Sequence, residues 1–222
     1  LLDYTQSGVR SNFAFPENIQ ARSQKLLSQA RQFWLDRQTA PPQKIIRELP
    51  AFLSALENAL NAVALLSGPP LAIRRLGLEF PFRAEQVNTP GLVVAVEHLL
   101  GAINIPPNQL MSWLKEWSRA MKILQDQTDQ DAILAELDTY LFSAMDGFIQ
   151  NDTNLAFLWP LLKTWTEIIT LMPDNPQLQT PWIGVLTSLG FAGSDYQVRL
   201  AAFDGFLELC ESLIQKETAS AG

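Results

Sequence analysis

Residues 154–172 read NLAFLWPLLKTWTEIITLM, and the spacing of their apolar side chains decides the fold class. Phe157, Leu158, Leu161, Trp165, Ile168, Ile169 and Met172 recur at intervals of three and four, the period that gathers side chains on one face of an α-helix. The surface so formed is wide, as in helices that sit in a core. Lys163 and Glu167 interrupt the run, which leaves it too short to cross a bilayer. The stretch predicts a core helix, not a membrane span.

The same period recurs on both sides. Pro16 to Gln38 opens with Pro16 and Glu17, both favourable where a first helical turn leaves backbone N–H groups unpaired, and carries Ile19, Leu26, Leu27, Ala30, Phe33 and Trp34. Pro41 and Pro42 stop it. A second helix is expected from about Gln43 to Leu66, kinked or split after Leu49 by Pro50. Ser67-Gly68-Pro69-Pro70 is the strongest breaker, and Gly77, Pro81 and Pro90 limit residues 71–90 to short helical turns. Further helices are expected at Gly91–Ile103, from Pro106-Pro107 to about Leu124, from a capping box at Thr128–Asp131 to about Gln150, after Thr180 as N-cap with Pro181 behind it, and after a second box at Ser194–Gln197. Leu92–Val96 alone would also suit a strand. The fold class is all-α: a compact bundle or stacked hairpins of eight to nine helices, with an irregular arm over 1–15 and one domain over 16–222, or two lobes meeting near 126–130.

Residues from Pro41-Pro42 to Leu56 can be laid over those from Pro106-Pro107 to Met121, with Leu49/Leu114, Phe52/Trp117 and Leu56/Met121 in register. A duplicated hairpin would give such pairs, but so does the physics of any amphipathic helix begun by Pro-Pro, and repeat folds need several stacked units.

The 222 residues carry a net charge of −7, unevenly. Residues 1–125 hold 13 basic and 9 acidic side chains, a net of +4, whereas residues 126–222 hold 3 and 14, a net of −11. Nucleic acid is therefore not an expected partner. Arg22, Lys25, Arg37, Arg74, Arg75 and Arg83 are too sparse for a strand-binding groove. With Leu1 in place of an initiator Met, the N-terminus is expected to have been trimmed, processed or left out, and with no signal-peptide pattern the expected location is cytoplasmic.

Catalytic chemistry finds little to use. His98 is the one histidine and Cys210 the one cysteine; neither has a partner at useful spacing, and Glu208 and Glu211 near Cys210 oppose a reactive thiolate. Asp126, Asp129 and Asp131 could hold Mg²⁺ against a diphosphate, but the adjacent Asp pair of such motifs is missing, and helix capping accounts for Asp129 and Asp131. No phosphate loop, dinucleotide fingerprint or nucleophile elbow occurs. No cofactor or metal is expected.

What remains is binding. Six Trp and 12 Phe supply core or interface, Phe13 and Phe15 end the irregular arm, and the last helix carries Asp204, Glu208, Glu211 and Glu217. The leading expectation is a non-enzymatic interaction subunit or adaptor whose partners are other proteins, with a basic surface or by self-association. Phe13, Phe15, Trp113, Trp117, Asp204, Glu208, Glu211 and Glu217 are its candidate contact residues. The alternatives are a binder of an apolar lipid or pigment in a Trp/Phe-lined cavity, and a Mg-dependent helical enzyme built on Asp126, Asp129 and Asp131.

Overall fold

The structure, a computed structural model, describes residues 15–39, 44–127, 144, 145, 147–149 and 154–221. Among them eight helices follow one another: α1 (Pro16–Thr39), α2 (Ile45–Ala64), α3 (Ile73–Gln86), α4 (Gly91–Leu100), α5 (Pro107–Gln127), α6 (Asn154–Leu171), α7 (Pro176–Ser188) and α8 (Ser194–Ala221). Residues 144, 145 and 147–149 add helical backbone, and no described residue lies in a strand. The all-α expectation holds. The capping box at Thr128–Asp131 and all of the arm except Phe15 lie outside the described residues.

The stretch quoted first is the axis of the molecule. From Leu155 to Leu162 every residue of α6 is buried, so this half of the helix has no polar face, the condition of a helix enclosed by others. It packs against α2, α3, α4, α5 and α7. The second hub, α2, is buried nearly throughout from Phe52 to Ala64 and meets α1, α3, α6 and α8. Of the two stretches compared for duplication, residues 45–56 lie on α2 and residues 107–121 on α5, which both flank α6, while residues 41–43 lie outside the described residues. Phe52 is a junction of aromatic rings, edge-on to Phe203 at 5.4 Å, Phe191 at 5.7 Å and Tyr196 at 6.1 Å. Edge-to-face pairs of this kind add about 0.5–1.5 kcal/mol each beyond their buried area. Buried residues from Leu27 to Ile214 form one contiguous core.

Three local expectations are corrected. Residues 71–90 hold not short turns but α3, 14 residues long with Pro81 inside it. Gly77 explains it: a Cβ there would lie 2.5 Å from the Leu155 carbonyl oxygen, so the glycine lets α3 and α6 touch backbone to backbone, and that packing outweighs the missing Pro81 N–H. Pro50 does not split α2, which runs unbroken from Ile45; a proline six residues in removes one hydrogen bond from a helix end that packing already holds. The N-cap of α7 is Asn175, whose Oδ1 accepts from the Gln177 N–H at 3.0 Å, not Thr180. Two polar-Pro pairs occur five residues apart, and the helix starts at the earlier. Elsewhere α4 stops at Leu100, before Gly101 at φ 70°, and α8 begins at Ser194 itself, after Gly193 at φ 58°.

Candidate interaction surfaces

The charged halves of the sequence meet inside the molecule. Arg31 on α1 forks onto Glu211 of α8, Nε to Oε1 at 2.8 Å and Nη2 to Oε2 at 3.0 Å, and its Nη1 also bonds Asp204. Its guanidinium lies 5.3 Å from the Trp34 ring, while the Trp34 indole N–H donates to the Leu200 carbonyl at 3.2 Å. The hydrogen bond to Glu211 raises the Arg31 pKa against the opposing pull of burial. Asp204 and Glu211, two of the acidic residues expected to meet a partner, are thus engaged by their own chain. Glu208 and Glu217 on the same helix are exposed.

A second arginine fixes the other end of α8. Arg199 donates to four carbonyls: Nη1 to His98 at 2.8 Å and to Leu99, Nη2 to Leu189, and Nε to Gly190 at 3.3 Å. The His98 and Leu99 carbonyls lie in the last turn of α4, before left-handed Gly101 (φ 70°), and the other two belong to the C-cap of α7, Leu189, and to left-handed Gly190 (φ 72°) after it. A cation between two helix C-termini is favoured by both dipoles. Burial nonetheless pulls its pKa down to about 10, with Asp195 acting the other way, and the guanidinium stacks 4.3 Å from the Phe191 ring.

Held at Arg199 and again at Asp204 and Glu211, α8 turns a second, largely apolar face outward. Its core face is Leu200, Phe203, Phe206, Leu207, Cys210, Leu213 and Ile214. On the opposite side Val198, Ala201, Ala202, Gly205, Glu208, Leu209 and Ser212 are all exposed, Val198 at 70% and Leu209 at 55%. Between those two the face is low, since a Cβ on Gly205 would meet nothing within 4 Å. Glycine within a helix costs about 1 kcal/mol against alanine, and no contact among the described residues requires it here.

An outward apolar pair of opposite shape and charge lies on α3. Leu76, Gly77, Phe80 and Ala84 face inward. One helical turn apart on the far side, Leu78 and Phe82 are 51% and 60% exposed. Arg74 and Arg75 are exposed one turn before them. Arg75 pairs with Glu79 at 3.3 Å, while Arg74 forms no ion pair among the described residues. A third feature is a groove of about 680 Å³ between α5 and α7, lined by Trp113, Glu116, Arg119, Thr180, Gly184 and Ser188 among others.

Several expected contact residues fall elsewhere. Trp117 is fully buried, its indole N–H donating to Thr164 Oγ1 at 2.8 Å, and Trp113 shows only an edge to the groove at 7% exposure. Both are core residues, which takes Trp117 out of the candidate surface. Phe15 is half exposed at the start of α1, and Phe13 lies outside the described residues. Trp159, Trp165 and Trp182 are likewise buried in the common core. Asp126 is exposed near the end of α5, Asp129 and Asp131 lie outside the described residues, and no described group of three His, Cys, Asp or Glu has metal-binding geometry. His98 is exposed in the last turn of α4. The Cys210 thiol is buried and pushed far up by desolvation, with Glu211 adding to it, the opposite of an activated nucleophile. No helix among the described residues is long and apolar enough to cross a membrane.

The outer faces of α3 and α8 carry the surface that sequence reasoning passed over. Their signal was legible as Val198, Ala202, Gly205 and Leu209 at intervals of four, three and four, a second helical stripe beside the core one. Comparison with family models, curated proteins and solved structures gives no match, so both surfaces are read from their own residues.

Proposed function

We propose that this chain is a non-enzymatic interaction subunit that binds other proteins through the outward face of α8. One observation carries the reading: from Val198 to Leu209, α8 is apolar on two opposite sides, and among the described residues only one of them has a seat. Surface apolar residues scattered singly are ordinary; a face about three turns long with low relief at its centre suits a second helix laid against it. The acidic rim left by Glu208 and Glu217 favours a partner with basic residues around an apolar centre, and steering of that kind weakens with salt.

A photo-crosslinking amino acid at position 198 or 209, expressed in the native host, tests this directly. Discrete protein adducts from both positions, and none from a control at exposed Gln24 on α1, are the expected result. Adducts to lipid alone, or the same products from all three positions, would refute it.

A further inference from the structure

We infer that the partner of the α8 face is the α3 face of a second copy of this chain. The inference rests on the interaction reading above and names its occupant. The two faces are complementary. One offers two large side chains, Leu78 and Phe82, beside Arg74. The other offers a low floor of Ala201, Ala202 and Gly205 between Val198 and Leu209, beside Glu208. Their charges match the division of the sequence into a basic N-terminal part and an acidic C-terminal part.

The helices also match in register. At about 1.5 Å of rise per residue, Leu78 and Phe82 stand about 6 Å apart, and so do Ala201 and Gly205. With α3 antiparallel to α8, Leu78 over Gly205 places Phe82 over Ala201. Arg74, about 6 Å before Leu78, then comes beside Glu208, about 4.5 Å beyond Gly205. In the parallel orientation, with Leu78 over Ala201 and Phe82 over Gly205, Arg74 falls at Gln197 and exposed Glu85 comes beside Glu208, like charge against like. Charge therefore selects the antiparallel arrangement.

Within one chain α3 and α8 make no contact, so the pairing joins different surfaces of two molecules. It is heterologous, and each added copy leaves one α3 and one α8 free unless the rotation closes a ring. A contact one helix wide is smaller than the about 800 Å² per partner of a standard interface, so the association is weak and depends on concentration. A basic and apolar helix face also suits an anionic membrane surface, but that would leave the matched face on α8 unaccounted for. The copy of the chain explains both.

Sedimentation velocity of the full chain from micromolar to millimolar concentration tests the pairing, using two variants that leave the core untouched. Phe82→Asp disables α3 and keeps α8. Gly205→Gln fills the floor of α8, keeps α3 and favours the helix. Wild type should associate, less so at high salt, and each variant alone should weaken association at least about tenfold. An equimolar mixture of the two should recover a dimer, because an intact α3 then meets an intact α8. Circular dichroism matching wild type confirms that both variants fold. A monomeric wild type overturns the inference, as does association that the variants leave unchanged or that the mixture fails to restore. A monomer whose binding to phosphatidylserine vesicles is weakened by Phe82→Asp also overturns it, assigning α3 to a membrane. If wild type is monomeric but position 198 or 209 still crosslinks to a different polypeptide, the self-pairing fails and the interaction reading stands; if no protein is crosslinked either, both fail.

Discussion

Replacing Arg199 by methionine removes a cation on which two helix ends converge while keeping most of the apolar stem. Its four hydrogen bonds to carbonyls are charge-assisted and worth at least about 1.5 kcal/mol each. The contact with Phe191 at 4.3 Å adds about 1 kcal/mol, and the two dipoles about 0.5 kcal/mol each. Against this stands desolvation. The fall in pKa from 12.5 to about 10 corresponds to about 3 kcal/mol, which residual exposure reduces toward about 2 kcal/mol. The terms leave about 6 kcal/mol, which water regained by the freed carbonyls lowers, so the expected net loss is about 3–6 kcal/mol, or about 6–24 °C in Tm for a chain of this size. Arg199→Lys keeps the charge but not the fork, and should lose about half as much. Urea unfolding followed by far-UV circular dichroism measures both. A methionine variant within about 0.5 kcal/mol of wild type would show that the clamp is incidental and that α4 and α7 are held by apolar packing alone.

Gly77→Ala should destabilise by about 2–3 kcal/mol, because its Cβ would press on the Leu155 carbonyl; Gly184→Ala, exposed within α7 with nothing in reach, should stabilise by about 0.5–1 kcal/mol. Thermal melts of the pair read both signs. Asp204→Asn combined with Glu211→Gln should cost about 1–3 kcal/mol by leaving Arg31 unanswered, whereas Glu208→Gln should stay within about 0.5 kcal/mol; equal effects in urea melts would refute the division of the α8 acids into internal and free. Cys210 has a pKa raised in the folded state, so its contribution is complete below the ordinary thiol value of 9.0 and declines above it, where the unfolded chain gives up its proton first. Between pH 9 and 10, stability should fall by up to about 1.4 kcal/mol per pH unit, and more steeply beyond the ordinary tyrosine value of 10.0 because Tyr196 is raised too. Cys210→Ala should flatten that slope in a urea series across the window.

The helical period made most of the architecture legible, because eight segments repeat their apolar residues at three and four. What escaped was decided between segments. Gly77 and Pro81 are helix breakers on any local scale, and nothing near them in sequence reveals that α3 rests its backbone on Leu155. The acidic character of α8 was plain, but the pairing of Asp204 and Glu211 with Arg31 spans 173 and 180 residues, beyond any pattern of spacing. Trp117 shows the same limit from the other side. An aromatic stripe looks alike whether it faces a partner or the core, and only the position of α6 resolves which. The outer stripe of α8 was readable, yet small residues such as Ala202 and Gly205 carry little weight beside Phe203 and Leu207 on the same helix.

The central place of α6 has a consequence for synthesis. When α5 has left the ribosome, α2, α3, α4 and α5 all exist, but the helix that each of them packs against has not yet been made. At about 5–20 residues per second, the stretch from Gln127 to Leu171 takes roughly 2–9 s to translate. For that interval the nascent chain shows Phe52, Phe80, Leu114 and Trp117 to solvent without the surface of α6 to receive them, and α1 waits longer still for α8. A chain arranged around a late helix is open to aggregation during that pause. A stall placed just before residue 154 should therefore leave more aggregate than one placed after Leu171.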